Sequence, residues 1–181
     1  MVFIFLATGF EEIEAVATID VIRRAGIDIQ IVSTTGEKTV TGVHNIKVSA
    51  DVLFEDADFS KAKMLILPGG MPGTTNLEKH EGLLALIRKH NQAGKWLAAI
   101  CAAPSILGKM HLLRNLDATC YPGFEEFLDE AYVRTNQGVI ACNNIITSRG
   151  PGFAPEFGLK IAEILSSKEV ADQVASDMLI K

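Results

Sequence analysis

The 181-residue chain lacks any excess of basic residues: 17 Lys and Arg stand against 22 Asp and Glu, a formal charge of −5. Without a positive field nothing holds a polyanion, so neither nucleic acid nor an anionic membrane surface is an expected partner. No stretch approaches the roughly 18 consecutive apolar residues of a membrane-spanning helix. The opening run, residues 1–7, is apolar but short; it has no basic flank and meets Gly9, Glu11 and Glu12 straight afterwards, so it reads as neither signal peptide nor span. Cysteine is scarce. Cys101, Cys120 and Cys142 form an odd set without a C-x-x-C pair, against a disulfide framework or zinc knuckle and for a reducing, cytoplasmic setting. The histidines, His44, His80, His90 and His111, show no metal-ligand spacing, so no metal is expected. Internal repeats, low-complexity tracts and Pro- or Ser-rich linkers are missing, and residues 1–181 read as a single domain.

Apolar residues, by contrast, are plentiful: 48% of the chain, enough to bury a substantial core. Residues 2–7 are a continuous apolar run, the mark of a parallel strand covered on both faces; residues 27–33 return to strand, and 63–67 and 95–100 read as further buried strands. Between them lie helical patterns at 11–25, closed by Gly26, and at 74–92, with a break expected near Gly82. In the first helix Ile13, Val16, Ala17, Ile19 and Ile22 recur at helical spacing. Residues 40–48 read as a small hairpin around Gly42 and Asn45. A helix is expected at 102–110, a strand at 118–121, a short acidic helix at 123–130 and a strand at 132–135. Paired strands at 139–142 and 144–148 and helices at 155–166 and 168–179 complete the pattern. The simplest account is an α/β sandwich with helices on both faces of a mostly parallel sheet. Ligands in such sheets collect at the carboxyl ends of the strands, here after Ala7, Leu67 and Ile100.

Cys101 stands at the exit of a strand and the entrance of a helix, where free N–H groups and the helix dipole favour an anion. A depressed thiol pKa is the expectation there. Ala102 and Ala103 leave room for a sharp turn, and Pro104 suits a first helical turn. Cys120 and Cys142 lie in or near strands without a following helix and read as core residues. Gly69 and Gly70, with Gly73, let backbone approach a ligand, and an N–H there, with that of Ala102, could hold an oxyanion. Neither glycine pattern of a phosphate-binding loop is present, so no nucleotide cofactor is expected. Glu11, Glu12 and Glu14 crowd the start of the first helix. One of them, buried beside the sulfur, would stay protonated and relay protons, and the pattern does not choose among the three. Arg149 ends a strand and either points a guanidinium at the cleft or forms a structural ion pair.

Glu11–Glu14, Asp20–Gly26, Leu67–Gly70, Ala98–Pro104 and Thr147–Gly152 together resemble the motifs of the DJ-1/PfpI (ThiJ-type) family, specifically its DJ-1 branch, from one end of the chain to the other. The resemblance implies a flavodoxin-like three-layer sandwich, a homodimer, and Cys101 as nucleophile on its elbow. It assigns Glu14 to the family's buried, protonated glutamate, and Gly70 and Ala102 to the amides of the oxyanion pocket. It also implies cofactor-free action on small reactive aldehydes, of glyoxalase or deglycase type and with methylglyoxal as the type substrate, in stress protection. The alternative it carries is an oxidative-stress sensor or redox-linked chaperone working through Cys101 oxidation. A thiazole- or thiamine-linked role rests on the ThiJ label alone. Proteolysis would require a histidine after the nucleophile, and that position is Ala102. The DJ-1 branch also carries a histidine before a proline near the cysteine, whereas this chain has Tyr121-Pro122; with a pKa near ~10, tyrosine is a poor general base at neutral pH.

Overall fold

Strand β1 (Val2–Leu6) is buried along its whole length, and its side chains divide between two cores. Val2, Ile4 and Leu6 enter one, Phe3 and Phe5 the other, which is why the run is continuous rather than alternating in hydropathy. The structure, a computed structural model, describes residues 1–180. From β1 the chain forms α1 (Glu12–Arg24), β2 (Ile29–Ser33), the hairpin β3 (Thr39–Thr41) and β4 (Lys47–Ser49), and an edge strand β5 (Val52–Leu53). It continues through β6 (Met64–Leu67), α2 (Gly73–Glu78), α3 (Glu81–Gln92), β7 (Trp96–Ile100) and α4 (Pro104–Lys109). Two short strands, β8 (Asp117–Ala118) and β9 (Tyr132–Val133), precede β10 (Val139–Cys142), β11 (Ile145–Ser148), α5 (Ala154–Leu165) and α6 (Lys168–Asp177).

The central sheet has the order β10-β11-β7-β6-β1-β2-β5. All its pairs are parallel except β10 with β11. Residues of α1 and α5 fill the core on one face, and residues of α2, α3 and α4 fill the other, giving three layers. The chain leaves β1 first toward β2 and later crosses to β6 on the other side, so the sheet's switch point opens between β1 and β6 at their carboxyl ends. β7 ends alongside, one strand further over.

The structure departs from the sequence expectation where local chemistry was weakly marked. The 74–92 helix breaks at Lys79–His80 rather than at Gly82, because the His80 ring nitrogen Nδ1 caps α3 by accepting the Leu83 N–H at 3.0 Å. The strand expected at 118–121 is only Asp117–Ala118, and the acidic helix at 123–130 is a single 3₁₀ turn, Glu125–Phe127. Ile13 and Val16 do not join the core of α1: they are 57% and 47% exposed, while Ala15, Thr18, Ile19, Val21 and Ile22 are buried. His90, expected on a solvated face, is buried, and its ring is held neutral by desolvation and by nearby Lys95, its pKa falling to about 4.

Packing of α1 on α5 requires a missing side chain. A Cβ at Gly158 would lie 2.8 Å from Cβ of Val21, inside contact distance. Gly158→Leu is expected to destabilise the fold by about 1–3 kcal/mol through overpacking. Urea unfolding checks this: the midpoint should fall while the m-value stays unchanged.

Candidate active site

Three strand ends converge on one sulfur. Cys101 follows β7 directly and adopts φ +65°, a left-handed conformation that costs a residue with a Cβ about 1–2 kcal/mol. Its backbone is fixed from both sides: the Cys101 N–H donates to the Ser148 carbonyl at the end of β11, and the Cys101 carbonyl accepts from the Tyr121 N–H, each at 2.8 Å. The turn Ala102–Ala103 then leads into α4, which begins at Pro104 and is six residues long. The sulfur therefore sits before the helix rather than on its first turn.

The three glutamates of the first helix separate into three roles. Glu11 caps α1, its Oε2 accepting the Glu14 N–H at 2.7 Å. Glu12 ties down the β3–β4 hairpin: it accepts the His44 N–H at 2.7 Å and meets the His44 ring at 2.8 Å. Glu14 alone turns into the site, fully buried, with Oε2 accepting the Gly69 N–H at 2.8 Å, Oε1 without a hydrogen-bond partner among the described residues, and the carboxyl close enough to Cys101 for each to perturb the other's ionisation. Glu14 shares the core-facing stripe of α1 with Thr18 and Val21, at i, i+4 and i+7. A carboxylate on that stripe was the sequence signal that singles it out.

Gly69 makes the convergence possible, since a Cβ there would lie 2.6 Å from Cβ of Cys101 and 2.8 Å from Oε2 of Glu14. Gly70, at φ +89°, and Ala102 bring their backbone amides near the sulfur, where both act to lower the thiol's pKa. Cys101, Glu14, Gly69, Gly70 and Ala102 are thus brought together.

Burial dominates the electrostatics. It pushes the Glu14 carboxyl up to about 7, against the opposing hydrogen bonds from Cys101 and Gly69. It also pushes the Cys101 thiol well above its ordinary value, reinforced by the Glu14 charge and opposed by the amides of Gly70 and Ala102. The depressed thiol pKa expected from the helix dipole is therefore corrected: desolvation and a neighbouring carboxylate outweigh a short helix that starts three residues later. Below about pH 7 both groups keep their protons; above it the pair holds one proton between them, and the thiolate exists when that proton is on Glu14.

Tyr121 and Arg149 stand at the rim. Tyr121 is 46% exposed, over Gly150. Arg149 is half-buried and forms no ion pair among the described residues. Cys120, raised to about 12 by burial, lies in the core on the opposite face of the sheet from Cys101. Glu11, Glu12 and His44 bring ligand atoms within 4.8 Å of one another, but hydrogen bonds among these residues and their neighbours already account for the grouping.

The Glu14 value has a consequence for stability. Its folded pKa lies above the unfolded one, so between about 4.5 and about 7 the folded protein keeps a proton that the unfolded chain has lost, and stability falls as pH rises through that window. Wild type is expected to lose stability relative to Glu14→Gln across it, on the order of 3 kcal/mol. Urea denaturation of both proteins at a series of pH values measures the difference; a constant difference contradicts the raised carboxyl pKa.

A sequence model of the DJ-1/PfpI family matches residues 1–164. The chain is 38% identical over 181 residues to Protein DJ-1 homolog B of Arabidopsis thaliana, covering 99% of this chain and 41% of that protein. It thus spans less than half of that relative's length. It is 28% identical over 170 residues to the Caenorhabditis elegans protein named glutathione-independent glyoxalase DJR-1.2, covering 94% of this chain and 90% of that one. Among solved structures, oxidized Toxoplasma gondii DJ-1 superposes with a TM-score of 0.93 at 36% identity, over 98% of this chain and 97% of that one. Drosophila melanogaster DJ-1beta superposes with a TM-score of 0.95 at 34% identity, over 99% and 97%. The sandwich is accordingly flavodoxin-like, and this chain, with a cysteine, a buried glutamate and two amides gathered at its strand ends, belongs to the DJ-1/PfpI family.

Proposed function

We propose that the chain is a cofactor-free, cysteine-dependent enzyme acting on small reactive aldehydes, of glyoxalase or deglycase type, in a cytoplasmic stress-protection role. The observation that carries this reading is the meeting of the buried Glu14 carboxyl and the buried Cys101 side chain across Gly69, with the amides of Gly70 and Ala102 alongside. The relative named as a glyoxalase supports it.

With methylglyoxal, the proton rests on Glu14 and the Cys101 thiolate adds to the aldehyde carbon, forming a C–S bond. The amides of Gly70 and Ala102 receive the developing oxyanion, and Glu14 delivers its proton to it, giving a neutral hemithioacetal. The Glu14 carboxylate next removes the C1 proton and a proton is returned at C2, so that C1 is oxidised to a thioester while C2 is reduced to an alcohol. Water cleaves the thioester, releasing lactate and the thiol, with no external oxidant or reductant. Each transfer needs a carboxyl that exchanges protons near neutral pH, which burial of Glu14 supplies.

A second copy of the chain is the partner we propose. Ile13 and Val16 on α1, with Val43 and Ile46 in the β3–β4 hairpin, are large apolar side chains 39–57% exposed. The Glu12–His44 contact holds that hairpin against the start of α1, so one apolar face spans both elements, suited to burial against its own copy.

A second reading has its own support. The same amides and Glu14 would hydrogen-bond a Cys101 sulfinate, formed when two molecules of peroxide each give one oxygen to the sulfur and leave as water. That would make the chain an oxidative-stress sensor or redox-linked chaperone, and the oxidized Toxoplasma gondii relative is consistent with it.

Lactate production from methylglyoxal separates the two. Under the enzyme reading Cys101→Ala falls to background, and Glu14→Gln, which still accepts from Gly69 but cannot exchange a proton, loses about 10²–10⁴ in kcat. Wild-type rates equal to Cys101→Ala, together with a gain of two oxygens confined to Cys101 by intact mass after mild peroxide, would establish the sensor instead.

A further inference from the structure

A depression of about 230 Å³, of which Cys101 is not itself a wall, is lined by Tyr121, Pro122, Arg149, Gly150, Pro151 and Phe153, among others. Its two walls are the segments that fix the Cys101 backbone. Tyr121 is bonded to the Cys101 carbonyl, and Arg149 follows Ser148, which is bonded to the Cys101 N–H. Apart from the guanidinium, these lining side chains are apolar or aromatic. The Tyr121 and Phe153 rings are 46% and 36% exposed. Both rings lie over glycine: a Cβ at Gly150 would come to 3.1 Å from the Tyr121 ring, and one at Gly138 would overlap the Phe153 ring. The missing side chains let both rings lie flat against backbone, so the wall they form is an apolar shelf.

We infer that this depression is a subsite for the substituent of the substrate, and that it favours an aryl-substituted 2-oxoaldehyde over methylglyoxal. The inference rests on the aldehyde reading above. A 2-oxoaldehyde is attacked at its terminal carbon, so the group on its ketone carbon extends away from the sulfur, toward the neighbouring wall. A methyl group leaves the shelf empty. A phenyl ring fits within its volume, since an apolar cavity of about 150 Å³ already admits benzene, and it can stack on Tyr121 in offset geometry. Tyr121 then serves as a specificity-determining residue, through its ring rather than its hydroxyl.

The test compares kcat/KM for phenylglyoxal and methylglyoxal in wild type, Tyr121→Phe and Tyr121→Ala. The phenylglyoxal-to-methylglyoxal ratio is expected to fall about tenfold in Tyr121→Ala and to be retained in Tyr121→Phe. A ratio unchanged in Tyr121→Ala, with both aldehydes still turned over, overturns the subsite and leaves the aldehyde reading standing. Calorimetric titration with mandelate and lactate, the hydroxy acids that the two aldehydes yield, keeps the two ideas apart. Mandelate is expected to bind about tenfold tighter than lactate to wild type and to lose that advantage in Tyr121→Ala. If neither aldehyde is turned over but this preference holds, the subsite stands and the aldehyde reading falls; mandelate bound no tighter than lactate overturns the subsite.

Discussion

The proton between Glu14 and Cys101 is the constraint to which the rest of the site answers. Both groups are withdrawn from water, so neither ionises cheaply, and a negative charge on either is opposed by a negative charge on the other. One proton resolves the conflict; the Gly69 amide bonds the carboxyl, and the amides of Gly70 and Ala102 favour a charge on the sulfur. The left-handed backbone at Cys101 belongs to the same arrangement. Its cost is offset by hydrogen bonds from two separate segments, which hold the sulfur at the junction where the carboxyl arrives from α1.

Topology explains why such a pair can be built here. The switch point between β1 and β6 opens a crevice at their carboxyl ends, and β7 ends beside it. The first turn of α1 therefore hangs over the turn after β6, and Gly69 is thin enough to let carboxyl and sulfur meet across it. The sheet contributes position and the absence of water; the chemistry belongs to a few side chains and amides at its edge.

Much of this was legible in the sequence because parallel strands announce themselves as continuous apolar runs, and β1, β6 and β7 do, with β2 interrupted at Gln30. Cys101 stood out because a strand running into a helix without turn residues is unusual. Composition and pattern did not separate Glu11, Glu12 and Glu14, since capping, hairpin binding and proton exchange all draw on a carboxylate, and only the helical stripe through Thr18 and Val21 distinguishes the third. The thiol's direction of shift was misjudged because a dipole can be read from local sequence whereas desolvation depends on residues distant in the chain. His90 was misplaced for the same reason: it is polar by type, yet desolvation and nearby Lys95 hold its ring neutral inside the protein. Ile13 and Val16 show the converse, apolar by type and outside the core.

The components of the site come from three successive strand-and-helix units, with Gly69 wedged between the other two. A nascent or partly unfolded chain in which β7 has not docked onto β6 therefore carries only a commonplace thiol and a commonplace acid, each titrating as in free peptide. The pairing of carboxyl and sulfur exists only once the sheet has closed. Burial of Cys101 and Cys120 on opposite faces of the sheet therefore makes the two thiols separate reporters of whether each core has closed.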